Sequence, residues 1–379
     1  MKKLMFLVPV AALAIASCTS DSIVEQPATK VVSAEALQIY PEIQGITRGT
    51  VWDNSIFTQF KLTTSGTFQT GSTQEAPGTT QTFNGATVTK TSGTWKIGEQ
   101  ETWYWPSKSS TSSFTAWAPI DAAAGSYTAD YNDLSNLQDI VVAYNNGSAT
   151  DFETGVPLKF RHIMSQIVVK ADNDANSKIQ IKVKGLRLNN IQATRTWSLP
   201  TSSTVSSLPS DVWKSVTTPN PQDYVSNFTA KTLTGTAQDI TGDDPMLLIP
   251  QQLGTADIGT GSGQYLSVLV QIQNIQTGVA TDKIAVFPKA DDATNQVFAW
   301  AAVDINTEWE PGKKYIYTLH FTENGYGKVD DDQTGSDDDD DGTSDDDPDS
   351  GDDVVDAPVK LILDVEVIDW TEATEEHNM

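Results

Sequence analysis

The stretch "KIQIKVK", residues 178–184, alternates polar or charged residues with Ile179, Ile181 and Val183. Successive side chains of a β-strand point to opposite faces, so this spacing places the three apolar residues on one face. Clusters of Gly, Asn, Asp and Ser separate such stretches, and long apolar stripes at helical spacing are missing. The pattern predicts an antiparallel all-β chain. The same alternation occurs in 265–273, 314–321 and 360–367.

The length of 379 residues leaves room for two domains of ordinary size. At this length an all-β chain favours two β-sandwiches in tandem. The Ser- and Thr-rich stretch from Pro200 to Pro209 has the composition of a linker and lacks strand periodicity. We therefore predict an N-terminal sandwich over residues 35–200 and a C-terminal sandwich over residues 201–379.

The N-terminus has the features of an export signal. A short basic start is followed by the uncharged run 4–16, which is too short to span about 30 Å of hydrocarbon as a helix. The next residues, Ile15 to Cys18, resemble the bacterial lipobox, and Cys18 is the only cysteine of the chain. We predict a signal peptide over 1–17, lipidation of Cys18 and a flexible tether over 18–34. An unmodified cysteine after an ordinary secretory signal is the alternative.

The net charge of −26 is distributed unevenly. Residues 330–356 contain fifteen aspartates and no Lys or Arg, and without them the net charge is −11. Such a segment has almost no apolar residue to bury, so we predict a disordered surface loop within the C-terminal domain. The absence of a basic patch in so acidic a chain also argues against nucleic acid as a partner.

Part of the acidic segment matches the first half of a calcium-binding loop. Asp337, Asp339, Asp341 and Asp345 have the required spacing, but Pro348 occupies the position of the bidentate Glu. An Asp-rich run produces such partial matches by chance. The sequence therefore predicts no dedicated metal or cofactor, with loose association of calcium or another divalent ion as the weaker hypothesis.

No catalytic motif stands out. The three histidines, His162, His320 and His377, do not share a metal-ligand spacing, and HExxH, GxSxG, CxxC and phosphate-binding glycine loops are missing. We predict that His162 is a hydrogen-bonded structural residue. His320 is predicted to point outward from its strand. A pair of unmarked carboxylates could still serve a glycoside hydrolase, but nothing in the sequence indicates one. We predict that the protein is not an enzyme.

Six stretches in order resemble the fimbrillin family of Bacteroides-type bacteria. A tryptophan-rich stretch is followed by an "F-x-H" strand, an "L-I-P-Q" strand and two closing strands, and together they cover nearly all of the mature chain. The acidic insertion departs from the family, which usually joins the closing strands tightly. The stretches are "WKIGEQETWYWPSKSSTSSFTAWAP" (95–119), "DIVVA" (139–143), "LKFRHIMSQIVVKA" (158–171), "PMLLIPQQL" (245–253), "WEPGKKYIYTLHF" (309–321) and "VEVIDW" (365–370).

The resemblance implies two transthyretin-like β-sandwich domains in a lipoprotein of the outer membrane. It also implies assembly into pili, in which a protease cuts after an arginine, removes the first strand and opens a groove for a strand of another subunit. Arg48 ends the run "ALQIYPEIQGITR" and matches that cleavage position. Other pilus subunits, the outer membrane and a ligand on host or bacterial surfaces are the implied partners. The implied location is the cell surface, and a fimbrium after processing.

Two functions from different classes remain in competition. The leading hypothesis is a structural subunit or accessory component of a protease-activated pilus that takes part in cell adhesion. The stalk, anchor and tip roles stay open. The alternative is a cell-surface glycan-binding lipoprotein, because exported β-sandwiches with many tryptophans often stack sugars on exposed rings. The two differ in the burial of the ten tryptophans.

Overall fold

The computed structural model describes residues 36–43, 56–71, 78–99, 102–173, 179–201, 212–242, 246–274, 284–287, 298–322, 328–329 and 360–369. These residues form 24 β-strands and two 3₁₀ helices, Leu134–Asn136 and Ile258–Thr260. No α-helix occurs in these ranges. The all-β prediction is therefore confirmed.

The strands follow one another through the whole described chain. The first half comprises β1 (Ala36–Leu37), β2 (Ile39–Ile43), β3 (Gln59–Thr64), β4 (Phe68–Gln69), β5 (Thr80–Gln81), β6 (Ala86–Thr91), β7 (Thr94–Ile97), β8 (Trp103–Tyr104), β9 (Thr111–Ala118), β10 (Gly125–Thr128), β11 (Val141–Ser148) and β12 (Val156–His162). The second half comprises β13 (Ser165–Asn173), β14 (Ile179–Gln192), β15 (Thr194–Trp197), β16 (Pro221–Thr232), β17 (Gln238–Asp239), β18 (Met246–Leu248), β19 (Tyr265–Asn274), β20 (Ile284–Phe287), β21 (Ala299–Asp304), β22 (Lys313–Thr322), β23 (Lys328–Val329) and β24 (Lys360–Asp369).

Two sheets enclose the hydrophobic cluster that we call the first core, whose buried residues run from Leu37 to Phe160. A seven-stranded sheet has the order β2-β12-β11-β9-β3-β6-β7, and a four-stranded sheet has the order β1-β8-β4-β5. Many contacts in this core are between aromatic rings. The ring centroids of Phe60 and Phe160 are 5.1 Å apart, those of Phe68 and Trp105 are 4.9 Å apart, and both pairs pack edge to face. Such pairs add to the burial of their large apolar area.

The second core is a larger cluster, with buried residues from Trp117 to Phe321. Its strands form a sheet of order β17-β13-β22-β24, with β18 on β13, and a sheet of order β16-β14-β19-β21-β23, with β20 on β19. The short pair β10-β15 packs against the same core. The alternating stretches of the sequence supply this core, since Ile181, Val183, Val268 and Val270 are fully buried.

The seven-stranded sheet separates the two cores where β9 and β11 pair. Ala116 and Val141 point into the first core, whereas their neighbours Trp117 and Val142 point into the second. This follows from the alternation of side chains along a strand, and Val142 pairs directly with Trp117. Two strands therefore contribute to both hydrophobic cores.

The stretch 158–171, which the sequence suggests is one strand, forms two. β12 ends at His162 in the seven-stranded sheet, and β13 begins at Ser165 in a different sheet. Ile163 and Met164 between them are both fully buried in the second core. A continuous strand would place consecutive side chains on opposite faces, so burying both in one core requires the backbone to turn.

The last buried residue of the first core is Phe160, whereas the second core already includes residues between Trp117 and Val142. Trp197 and Trp213, on either side of residue 200, both belong to the second core and form an antiparallel bridge. The division into domains near residue 200 stays a prediction, and the burial pattern favours an earlier point. Residues 202–211 lie outside the described ranges.

Candidate functional site

The first described segment, residues 36–43, occupies the edges of two sheets. β1 lies at the edge of the four-stranded sheet and pairs antiparallel with β8. After Gln38, β2 lies at the edge of the seven-stranded sheet and pairs parallel with β12, with Ile39 opposite Val156 and Ile43 opposite Phe160. One extended segment, which we call the first strand, therefore joins the two sheets on one side of the first core.

The first strand contributes three apolar side chains to the first core. Leu37, Ile39 and Ile43 are 8%, 6% and 2% exposed, whereas Tyr40 and Glu42 face solvent. Burying a large aliphatic side chain stabilises a fold by roughly 1.5–3 kcal/mol. The segment is therefore an integral part of the core, although it is joined to the sheets along only one side.

Gly155 fits closely against the first strand. The Val156 backbone N–H donates to the Gln38 carbonyl at 2.8 Å, and the Tyr40 hydroxyl donates to Gln38 Oε1 at 2.6 Å. A Cβ atom on Gly155 would lie only 2.2 Å from Tyr40 Cε2, and Gly155 has φ +109°. Only glycine leaves room for the ring in this backbone conformation. Sequence reasoning missed this contact, because nothing in the sequence pairs Gly155 with Tyr40.

Because β1 and β2 both lie at sheet edges, removal of the first strand would break only their pairing with β8 and β12. If the first strand left, β8 and β12 would expose unpaired backbone groups beside an opened hydrophobic core. Such an edge binds another extended segment through main-chain hydrogen bonds, and pockets for alternate side chains provide selectivity. The chemistry of the site is thus non-covalent pairing between β-strands.

The apolar side chains of the last described strand, β24, are much less buried than those of the first strand. β24 pairs antiparallel with β22 at the edge of its sheet, with Val365 opposite Tyr317 and Val367 opposite Tyr315. Tyr315 and Tyr317 are buried, but Val365 and Val367 are 41% and 48% exposed. Apolar residues on the core-facing side of β24 are therefore only partly covered.

The two described histidines each contact a carboxylate. His162 Nδ1 lies 2.9 Å from Asp139 Oδ1, and both side chains are buried next to the junction of the cores. Burial is the largest cause that raises the pKa of nearby Tyr127, to about 12. A backbone hydrogen bond from Gln138 acts in the opposite direction, and the charges of Asp139 and Asp130 add to the rise. The prediction that His162 is a hydrogen-bonded structural residue is confirmed.

His320 lies on the outer face of β22, as the sequence predicts. Its Nδ1 lies 2.8 Å from Asp172 Oδ2 on β13, and its Nε2 lies 3.4 Å from Asp364 Oδ2 on β24. The two carboxylates therefore contact different nitrogens of the ring. Within the described ranges, no group of three His, Cys, Asp or Glu side chains is arranged to hold a metal ion.

The described tryptophans are mostly buried. Trp95 packs against the first core and is half-buried. Coplanar exposed rings, which a sugar-stacking site requires, do not occur among these residues. The seven buried tryptophans are Trp103, Trp105, Trp117, Trp197, Trp213, Trp300 and Trp309.

Several predicted site residues lie outside the described part of the chain. These are Cys18, Arg48 and the calcium candidates Asp337, Asp339, Asp341 and Asp345, together with the whole acidic segment 330–356. Their roles stay predictions. Among the residues that the structure does describe, no helix has the length and apolar character needed to cross a membrane.

The described residues thus form an all-β structure with two hydrophobic cores, and its first strand lies at the edges of two sheets. The chain belongs to the fimbrillin-like family, whose sequence profile matches residues 47–334. The suspected resemblance is thereby confirmed over most of the chain. No curated protein matches the chain.

The solved structures that resemble this chain are distant from it in sequence. A fimbrial protein from Bacteroides vulgatus ATCC 8482 is 14% identical, with a TM-score of 0.55 over 89% of this chain and 99% of that chain. A protein from Bacteroides ovatus ATCC 8483, provisionally described as a cell adhesion protein, is 13% identical with a TM-score of 0.45 over the same shares. The first comparison supports a common fold, and the second is too weak to carry an argument.

Proposed function

We propose that this chain is a structural subunit or accessory component of a cell-surface pilus that assembles by protease-activated strand exchange. The observation that carries the proposal is the position of the first strand. It forms the edge of two sheets and contributes three buried side chains to the first core. Membership of the fimbrillin-like family and the fold shared with a fimbrial protein support the same function.

The distribution of arginines favours a single cut. The chain has four arginines, and Arg161, Arg187 and Arg195 lie within β12, β14 and β15. A peptide bond inside a paired strand resists proteolysis, because the protease needs the segment to open locally first. Arg48 lies between the first strand and β3 and is the arginine that we expect an arginine-specific protease to select.

Cleavage after Arg48 would have two consequences. It would separate the first strand from the body, so that the edge of β8 and β12 could receive a strand of another subunit. It would also release the body from its lipid anchor, because Cys18 lies on the discarded side of the cut. A subunit that stays attached to the outer membrane would have to avoid the cut.

The test is limited proteolysis of the folded, mature protein with an arginine-specific protease. We expect a new N-terminus at Gly49 and higher-order assembly on size-exclusion chromatography. Arg48→Lys is the matched control, because it keeps the charge and removes the cleavage site. A trimmed protein that remains a stable monomer would contradict the proposal and favour a tethered surface module.

The lipid anchor is tested separately by metabolic labelling with a radioactive fatty acid. Wild-type protein should take up label through Cys18, and several acyl chains at about 0.8 kcal/mol per buried methylene would hold it firmly in the membrane. Cys18→Ser should take up none. Equal labelling of the two proteins would refute lipidation at this position.

A further inference from the structure

We infer that the site of the first strand is directional and register-specific. It accepts an extended segment that runs in the direction of residues 37–43, with apolar side chains at its first, third and seventh positions and a ring at its fourth. These positions are those of Leu37, Ile39, Ile43 and Tyr40. The inference rests on the proposed strand exchange, because the site becomes available only when the first strand leaves.

The direction follows from the mixed pairing of the two halves of the site. The first strand is antiparallel to β8 but parallel to β12. A segment entering in reverse would be parallel to β8 and antiparallel to β12. The hydrogen-bond patterns of parallel and antiparallel pairs differ, so the reversed segment could not reproduce the bond from the Val156 N–H to the Gln38 position. The segment must also leave the four-stranded sheet and enter the seven-stranded sheet at the position of Gln38, because the residues before it pair with β8 and those after it pair with β12.

The register follows from the spacing of the buried side chains. The interval from Leu37 to Ile39 is two residues and that from Ile39 to Ile43 is four, with half-buried Pro41 between them. In a reversed segment the four-residue interval comes first and the two-residue interval second. If its outer apolar residues occupy the positions of Leu37 and Ile43, its middle apolar residue lies at the position of half-buried Pro41 and not at that of Ile39. A shift by one residue would turn all three side chains toward solvent.

The fourth position is defined by Gly155. The Tyr40 ring lies against the backbone of this residue, in the space that a Cβ atom would fill. A flat ring covers this surface, whereas a small side chain leaves it open to water. The ring therefore adds a contact that the three apolar side chains do not provide.

The experiment uses fluorescent peptides and the mature protein cut by an arginine-specific protease. The peptide ALQIYPEI has the sequence of residues 36–43. One control, ALIQYPEI, exchanges the residues at the second and third positions, Gln38 and Ile39. Another control, IEPYIQLA, is the reversed sequence, and both controls keep the composition. Capture is measured by fluorescence anisotropy and by co-elution with the protein. We expect the native peptide to bind and each control to bind roughly 30-fold more weakly, because each moves one Ile out of its buried position.

A second pair of peptides tests the ring. Replacing the tyrosine by phenylalanine should leave capture within about twofold, whereas replacing it by alanine should weaken capture about fivefold, since part of the aromatic contact is lost. If the cut protein aggregates, peptide is added before the protease. The fraction that remains soluble is then the readout, and the native peptide should preserve more soluble protein than either control.

The outcomes separate this inference from the proposal on which it rests. Failure to capture any peptide, the native one included, would refute strand exchange at this edge. Equal capture of the native, exchanged and reversed peptides would leave strand exchange standing and overturn the directional, register-specific site.

Discussion

The first and last described strands are both edge strands with alternating apolar residues, yet they contribute very differently to the fold. Leu37, Ile39 and Ile43 of the first strand are at most 8% exposed, whereas Val365 and Val367 of β24 are more than 40% exposed. The first strand joins two sheets around the first core, while β24 pairs with β22 alone. An edge position therefore does not by itself decide whether the apolar face of a strand is buried.

The largest difference is expected between matched truncations in the two strands. Ile43→Ala should lower the free energy of unfolding by about 2–4 kcal/mol, because it leaves a cavity in the first core. Val367→Ala should lower it by less than about 1 kcal/mol, because the side chain is half exposed. Denaturant unfolding of both variants measures the two effects. Equal losses would show that the two strands are buried alike.

The contact of Gly155 with the first strand should give the next largest effect. Gly155→Ala adds a strained backbone conformation and a clash with Tyr40, so we expect a loss of about 2–3 kcal/mol. Gly93→Ala is the control, because Gly93 also has positive φ, at +80°, but no atom lies within 4 Å of its added Cβ. The difference in unfolding free energy isolates the clash. No difference between the two variants would mean that Tyr40 moves aside freely.

The segment that precedes β24 should have a smaller effect. Replacing residues 330–356 by a two-residue Gly-Asn turn shortens the 30-residue connection between Val329 and Lys360 to five residues. It should raise stability by no more than about 1.5 kcal/mol, since each halving of a flexible loop is worth only about 0.6 kcal/mol. Thermal unfolding with and without calcium, on both proteins, measures the change. A large drop in melting temperature, or a calcium-dependent rise seen only in the full chain, would show that the segment packs or binds an ion.

The smallest effect is expected at the side-chain contact that links β24 to its neighbours. Asp364→Asn removes a long contact to His320 from an exposed position and should change stability by less than about 0.5 kcal/mol. Asp172→Asn removes the shorter and more buried contact to the same ring and should have the larger effect. Urea unfolding at pH 6 compares the two variants. A larger loss from Asp364→Asn would indicate that the histidine holds β24 in place.

Part of the site could be predicted from the sequence. The family resemblance identifies the run before Arg48 as the first strand, and two of its residues, Leu37 and Ile39, are buried in the first core. Its partners could not be predicted, because Trp103 and Val156 lie far along the chain and strand pairing depends on non-local register. The close contact of Gly155 with Tyr40 could not be predicted from the sequence for the same reason.

The sequence by itself determined the strand class and the face of each alternating stretch, because the two-residue period is a local property of the backbone. It also determined the family, through six ordered stretches. Only the tertiary structure decided which apolar faces are covered. The spacing of Ile181 and Val183 is the same as that of Val365 and Val367, yet the first pair is buried and the second is exposed. Burial depends on what packs against a face, and that partner is brought there by the rest of the chain.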